Sequence, residues 1–262
     1  SSSKLKKIEK TIHNYLDFVS GVEDVIANLL LSEDEIRHPI LEEQSSNKVC
    51  YLLISSDRGL AGPFNSNVFK FFENKIQNHP SREDYVVATL GTKGYSFIKK
   101  RKYPTLNKDF VMLRDDIRYI DIRHTIKKII EAYLKGEVGQ VFIVYNHFVN
   151  TLSQEVTMKK LLPIEKKFQG EKQVERVHYL YEGGAESILD TVLPLYIESL
   201  IYGLVLDSKA SEHASRMTAM HSATQNAGEM ISKLNLRYNR ARQAAITTEI
   251  AEIVGGANAL KG

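Results

Sequence analysis

Leu5, Ile8, Ile12, Tyr15, Val19, Val22, Ile26 and Leu29 follow one another three and four residues apart without a miss. Four heptads of apolar a and d positions leave few folds open. Residues 4–31 are expected to form a helix whose apolar seam needs another helix against it. The mean repeat of 3.5 residues falls just short of the helical period, so a left-handed supercoil follows. Lys4, Lys6, Lys7, Glu9, Lys10, Asp17 and Glu23 fall off the seam, and Gly21 is a mild weak point. The helix is expected to fade near Ser32 into a polar connection that contains Pro39.

A second heptad pattern lies at the other end of the chain. From Glu186 a helical texture runs to Val254, with Pro194 expected to kink it or to mark a late start. Met217, Met220, Thr224, Ala227, Ile231, Leu234, Tyr238, Ala241, Ala245 and Thr248 step by three and four, and Gly255 and Gly256 are expected to stop the helix. A helix this long with no globular core beside it needs a partner. The N-terminal helix is the nearest candidate, running antiparallel.

Between the two helices the texture changes. VCYLLISS (49–56), YVVATLG (85–91) and QVFIVYN (140–146) are short continuous apolar runs, separated by helical stretches near 66–77, 92–101 and 121–135. Strand and helix alternating at this spacing predict parallel βαβ units with strands covered on both faces. TLSQEVTMKKLLPI (151–164) reads as a longer strand at an edge, and RVHYLYE (176–182) as another, ended by Gly183 and Gly184. The fold class expected is α/β: an antiparallel coiled coil of the N- and C-terminal helices plus a Rossmann-like α/β domain with a mainly parallel sheet. The shaft would comprise 1–45 and 186–262, the globular domain 46–185.

Composition excludes several classes. A formal net charge of +3 is low for a protein that coats nucleic acid. No continuous apolar run reaches the length of a membrane span, and no secretory leader opens the sequence. The single cysteine, Cys50, lies in a strand-like run and is expected to be a buried strand residue in a reducing compartment. SDRGLAGPFNSN (56–67) follows a strand and opens a helix, where backbone N–H groups can hold a phosphate. It matches neither the P-loop nor the dinucleotide fingerprint, and reads better as a structural turn. In it Asp57 and Arg58 could pair, Gly59 and Gly62 turn tightly and Asn65 caps the helix. His213 and His221, eight apart, have the wrong spacing for a metal and read as solvated, with Glu212 pointing elsewhere. Asp115 and Asp116 read as a polar loop. No catalytic constellation, metal site or cofactor site is expected. Lys233, Arg237, Arg240 and Arg242 decorate the last third of the long helix with no acid from Ile231 to Thr248. They form either a solvated face or a surface drawn to acidic loops of a partner.

SSDRGLAGPFNSNVFK (55–70) and ASEHASRMTAMHSATQNAGEMISKLNLRYNRARQAAITTEIAEIVGGANAL (210–260) resemble the γ subunit of F-type rotary ATP synthases. YNRARQAAIT with EIVGGA is close to a signature, and KLKKIEKTI (4–12) looks like the middle of the family's N-terminal helix. The resemblance implies a rotor whose coiled coil turns inside an α3β3 hexamer, with a globular foot on the membrane c ring and the ε subunit. It implies nucleotide chemistry on the β subunits and no cofactor here. It maps contacts with the β catch loop onto Arg242, Gln243 and Thr247, and contacts with the c ring and ε onto Tyr179 and Glu182. The family's helix ordinarily has several more turns before KLKK, so the far end of the long helix is expected to lack that partner. Lys261 and Gly262 extend slightly past the family's usual end. The chloroplast-type insertion with its cysteine pair is absent. A peripheral position on the cytoplasmic face of a bacterial membrane is favoured over the matrix side of a mitochondrial inner membrane. Two other classes fit the residues alone: a coiled-coil adaptor of a non-rotary complex, and a nucleotide-binding α/β enzyme using 56–67.

Overall fold

The computed structural model describes residues 2–32, 37–164 and 184–259. The chain divides into two compact units, Ser1–Thr218 and Ala219–Gly262.

The first unit is built on a four-stranded sheet in the order β2-β1-β3-β4. Its strands are β1 (Val49–Ile54), β2 (Tyr85–Leu90), β3 (Gln140–Phe148) and β4 (Gln154–Leu162). β1 pairs in parallel with both β2 and β3, and β4 returns antiparallel on β3 at the edge. β4 is shorter than the sequence suggests. Asn150 Oδ1 accepts N–H bonds from Leu152 and Ser153, which turns 150–153 into a tight hairpin connection.

All six residues of β1 are buried, because each face meets a separate core. Val49, Tyr51 and Leu53 pack with Val68, Phe72 and Ile76 of α2 (Phe64–Ile76) and with Ile98 of α3 (Thr92–Arg101). Cys50, Leu52 and Ile54 face the opposite way, as a period of two requires. There they meet α4 (Tyr119–Leu134), α1 (Ser2–Ser32) and the start of α5 (Gly184–Ala259). Burial pushes the Cys50 thiol up to about 12, so it stays protonated and unreactive.

The N-terminal seam forms as its spacing dictates. Leu5, Ile8, Val19, Ile26 and Leu29 are buried, and Ile12, Tyr15 and Val22 half-buried. α1 and α5 run antiparallel. Tyr196 donates its hydroxyl to Glu23 at 2.8 Å, Tyr15 meets Tyr202 edge-on at 5.1 Å, and Leu5 and Ile8 share a cluster with Ala210 and Ala214. A Cβ on Gly203 would lie 3.4 Å from the Tyr15 ring, in ordinary contact with it.

Three expectations about α5 are corrected. It starts at Gly184, so Pro194 is inside the helix rather than at a late start. It continues through Gly255 and Gly256 to Ala259, since glycine costs a helix interior only about 1 kcal/mol and does not forbid it. The α1 partner seam is not 217–248. It is carried by 189–214, with Leu189, Leu193, Ile197, Ile201 and Val205 fully buried at intervals of four. One stretch of α5 is apolar enough by composition to span a membrane. Of that stretch, 44% is buried within the fold.

Candidate functional site: a gripped helix and an exposed helix

The last turns of α5 within the first unit are surrounded on all sides. Every residue from Val205 to Ser215 is buried or half-buried. Leu5 and Ile8 of α1 cover Ala210 and Ala214. The β3–β4 hairpin covers another side: Asp207 accepts from the Phe148 N–H at 2.9 Å, and Ser215 donates to Gln154 Oε1 at 2.8 Å. The remaining side carries charge. Lys209 Nζ lies 2.7 Å from Glu212 Oε2, donates to the Leu113 carbonyl at 2.9 Å and sits 3.6 Å from Asp115. Arg216 holds the other oxygen of Glu212 at 2.7 Å.

Lys209, Glu212, His213 and Arg216 fall on one helical face by their spacing. His213 was expected to be solvated; it is buried, and so is Glu212 beside it. They escape a pattern reading because charges at these intervals look like a wet face. The signal that could have found them is their company. Ser208, Ala210, Ser211, Ala214 and Ser215 are all small, which marks a helix packed closely on every side. His213 Nε2 lies 3.3 Å from Asp115 Oδ1, near enough to feel its charge but not aligned as a hydrogen bond. Burial, and then the Lys209 ammonium, lower His213 below its ordinary value of 6.5. Asp115 therefore belongs to this cluster, not to an idle polar loop.

The 56–67 segment closes on itself. Asn65 Oδ1 accepts the Ser56 N–H at 2.9 Å, and Asn65 Nδ2 donates to Ser56 Oγ at 2.7 Å. Asn65 is not the helix cap, a position held by Pro63. Asp57, expected to pair with Arg58, instead accepts from both the N–H and the hydroxyl of Thr92 at 2.9 Å, capping α3. Behind it a Cβ on Gly91 (φ 97°) would collide with the Ser55 carbonyl at 2.1 Å. Ser56 and Asn65 bond to each other and Asp57 is spent on Thr92, so these side chains hold the segment as a structural turn.

In the second unit every residue from His221 to Asn258 is exposed. Ile231, Leu234, Tyr238, Ile246, Ile250 and Ile253 are large apolar residues in water at 45–71% exposure. Lys233, Arg237, Arg240 and Arg242 lie among them, all exposed, as is His221. Arg242 and Gln243 are adjacent on this surface. Thr247 donates its hydroxyl to the Gln243 carbonyl at 2.8 Å, and both residues are exposed. Tyr179 and Glu182, with the strand expected over 176–182, lie outside the described residues.

The family model described as ATP synthase matches residues 1–260. The chain is 43% identical over 264 residues to the ATP synthase gamma chain of Symbiobacterium thermophilum, covering all of this chain and 90% of that one. It is 40% identical over 262 residues to the gamma chain of Staphylococcus saprophyticus, covering all of this chain and 91% of that one. The chain belongs to the ATP synthase gamma-chain family. The fold agrees. A chain of the Tetrahymena thermophila mitochondrial ATP synthase central stalk and c ring matches with a TM-score of 0.60 at 24% identity, over 85% of this chain and 95% of that one. One from the Euglena gracilis mitochondrial ATP synthase matches with a TM-score of 0.62 at 15% identity, over 99% and 95%.

Proposed function

We propose that this chain is the central rotor stalk of a rotary F-type ATP synthase, carrying torque between an ion-driven membrane ring and catalytic β subunits, with no active site of its own. The observation that carries the reading is a family match over the whole chain, joined to a helix that is gripped over 205–215 and bare over 221–258. Residues 1–45 and 186–262 serve as the shaft and 46–185 as the foot. An α3β3 hexamer surrounds the exposed stretch, while the c ring and the ε subunit meet the foot through Tyr179 and Glu182. The identity to bacterial gamma chains supports a peripheral place on the cytoplasmic face of a bacterial membrane.

The geometry suits the task. A shaft must not slip in its foot, and the Lys209–Glu212–Arg216 cluster ties α5 to the 113–115 loop from inside the fold. The shaft must also present a different face to each surrounding subunit. The exposed stretch has apolar, basic and small positions at different angles, so contacts differ with rotation. State-dependent contact is what allows a partner to bias otherwise equal sites. Arg242, with Gln243 and Thr247, forms the catch contact, its guanidinium meeting carboxylates of a β loop in a charge-assisted fork. Arg242→Ala is expected to weaken co-purification with the hexamer or to slow ATP turnover. Unchanged assembly and unchanged turnover would remove the assignment.

A further inference from the structure

A half-open cavity of about 450 Å³ lies where α1, β3 and α5 diverge, apart from the turn at 56–67 and the distal surface. Its wall is apolar: Ile12 and Val19 from α1, Tyr145 and Phe148 from β3, and Leu200 and Leu204 from α5. Gly203 completes the α5 side of the wall. The size is in the range of small-molecule sites. The charged lining is one-sided. Asp207 and Glu9 are the carboxylates, His147 stands beside Asp207, and among the described residues no lysine or arginine lines the cavity.

Asp207 is built into place. One oxygen accepts from the Phe148 N–H at 2.9 Å, and the other lies 2.7 Å from His147 Nδ1. These two contacts fix the carboxylate and leave acceptor capacity on both oxygens. Burial raises its proton affinity, and the His147 contact partly opposes this. A cation at the cavity would share that opposing role. An anion would meet two carboxylates, and a neutral hydroxyl could offer Asp207 only a weaker hydrogen bond than an ammonium does.

We propose that this cavity binds small lipophilic amines, the apolar body lying among Ile12, Phe148, Leu200 and Leu204 and the ammonium donating to Asp207, with Glu9 as a second acceptor. Such a guest bridges α1, β3 and α5, so it braces the helix pair against the sheet. Three probes of one shape separate the contributions: 4-phenylbutylamine, 4-phenylbutanol and 4-phenylbutyrate, titrated calorimetrically into the full chain. The amine is expected to bind at least about tenfold tighter than the alcohol, and the acid weakest. Asp207→Asn should bring the amine down to the level of the alcohol while leaving the alcohol unchanged. Glu9→Gln, at an exposed position that folding does not depend on, should lower amine affinity by a smaller factor. Leu204→Phe should weaken both amine and alcohol by filling the cavity. Equal binding of all three probes, no amine binding, or an amine preference that survives Asp207→Asn would overturn the proposal. So would amine binding that disappears as the chain self-associates, which would assign the cavity to a second copy.

Discussion

Residues 189–215 and 221–258 belong to one helix and draw on similar residues, yet they differ in almost every physical respect. In the first stretch Leu189, Leu193, Ile197, Ile201 and Val205 are fully buried, and Lys209 and Glu212 are enclosed with them. In the second, isoleucines, leucines and a tyrosine stand in water beside four basic residues. Exposed apolar side chains at this density mark a surface meant for a partner. A three-four step therefore says that a helix has an apolar side, and not what covers it. Over 189–215 the cover comes from α1, the sheet and two loops of the same chain.

The comparison is broken most strongly at the enclosed charges. Glu212→Ala strands Lys209 and Arg216 together with no acid between them. Removing one partner of a buried pair costs about 3–5 kcal/mol, so denaturant unfolding of the isolated chain should shift by that much, with Asp115 offsetting part of it. A shift under about 1 kcal/mol would mean that the cluster does not hold α5 in place.

A matched pair of truncations tests the two stretches directly. Ile201→Ala removes a fully buried side chain and should destabilise by about 2–5 kcal/mol. Leu234→Ala removes one that is 56% exposed and should stay within about 0.5 kcal/mol in the isolated chain. Equal effects would erase the distinction between gripped and bare helix.

The smallest effect is on pH dependence. His213 has a lowered proton affinity in the fold, so the unfolded chain takes up a proton first as pH falls. Its contribution to stability is complete above its ordinary 6.5 and declines as pH drops from there toward the lower folded value. His213→Gln should flatten this part of the stability profile. An unchanged slope would place the pH sensitivity elsewhere.

Much of this was legible in the residues. The α1 seam declared itself because a heptad repeat has a single structural reading, and β1 to β3 because strands covered on both faces are apolar throughout. The end of α5 was not legible, because Gly255 and Gly256 punctuate most helices but only weaken this one. The part of α5 that α1 covers was hidden too, since both stretches of α5 carry plausible seams of three-four steps. Of the candidate site, Arg242 and its neighbours stood out by charge. Lys209, Glu212, His213 and Asp115 did not, because enclosure depends on loops more than 90 residues away in sequence.

The most direct test of the rotor reading is to watch this chain turn. Lys108 is exposed on the α/β domain and Cys50 is buried, so Lys108→Cys offers a single reactive thiol for a bead. With the chain assembled into an immobilised α3β3 hexamer of a bacterial relative, ATP should drive stepwise rotation of the bead in one direction. A bead that stays fixed while the same complexes hydrolyse ATP at full rate would contradict it.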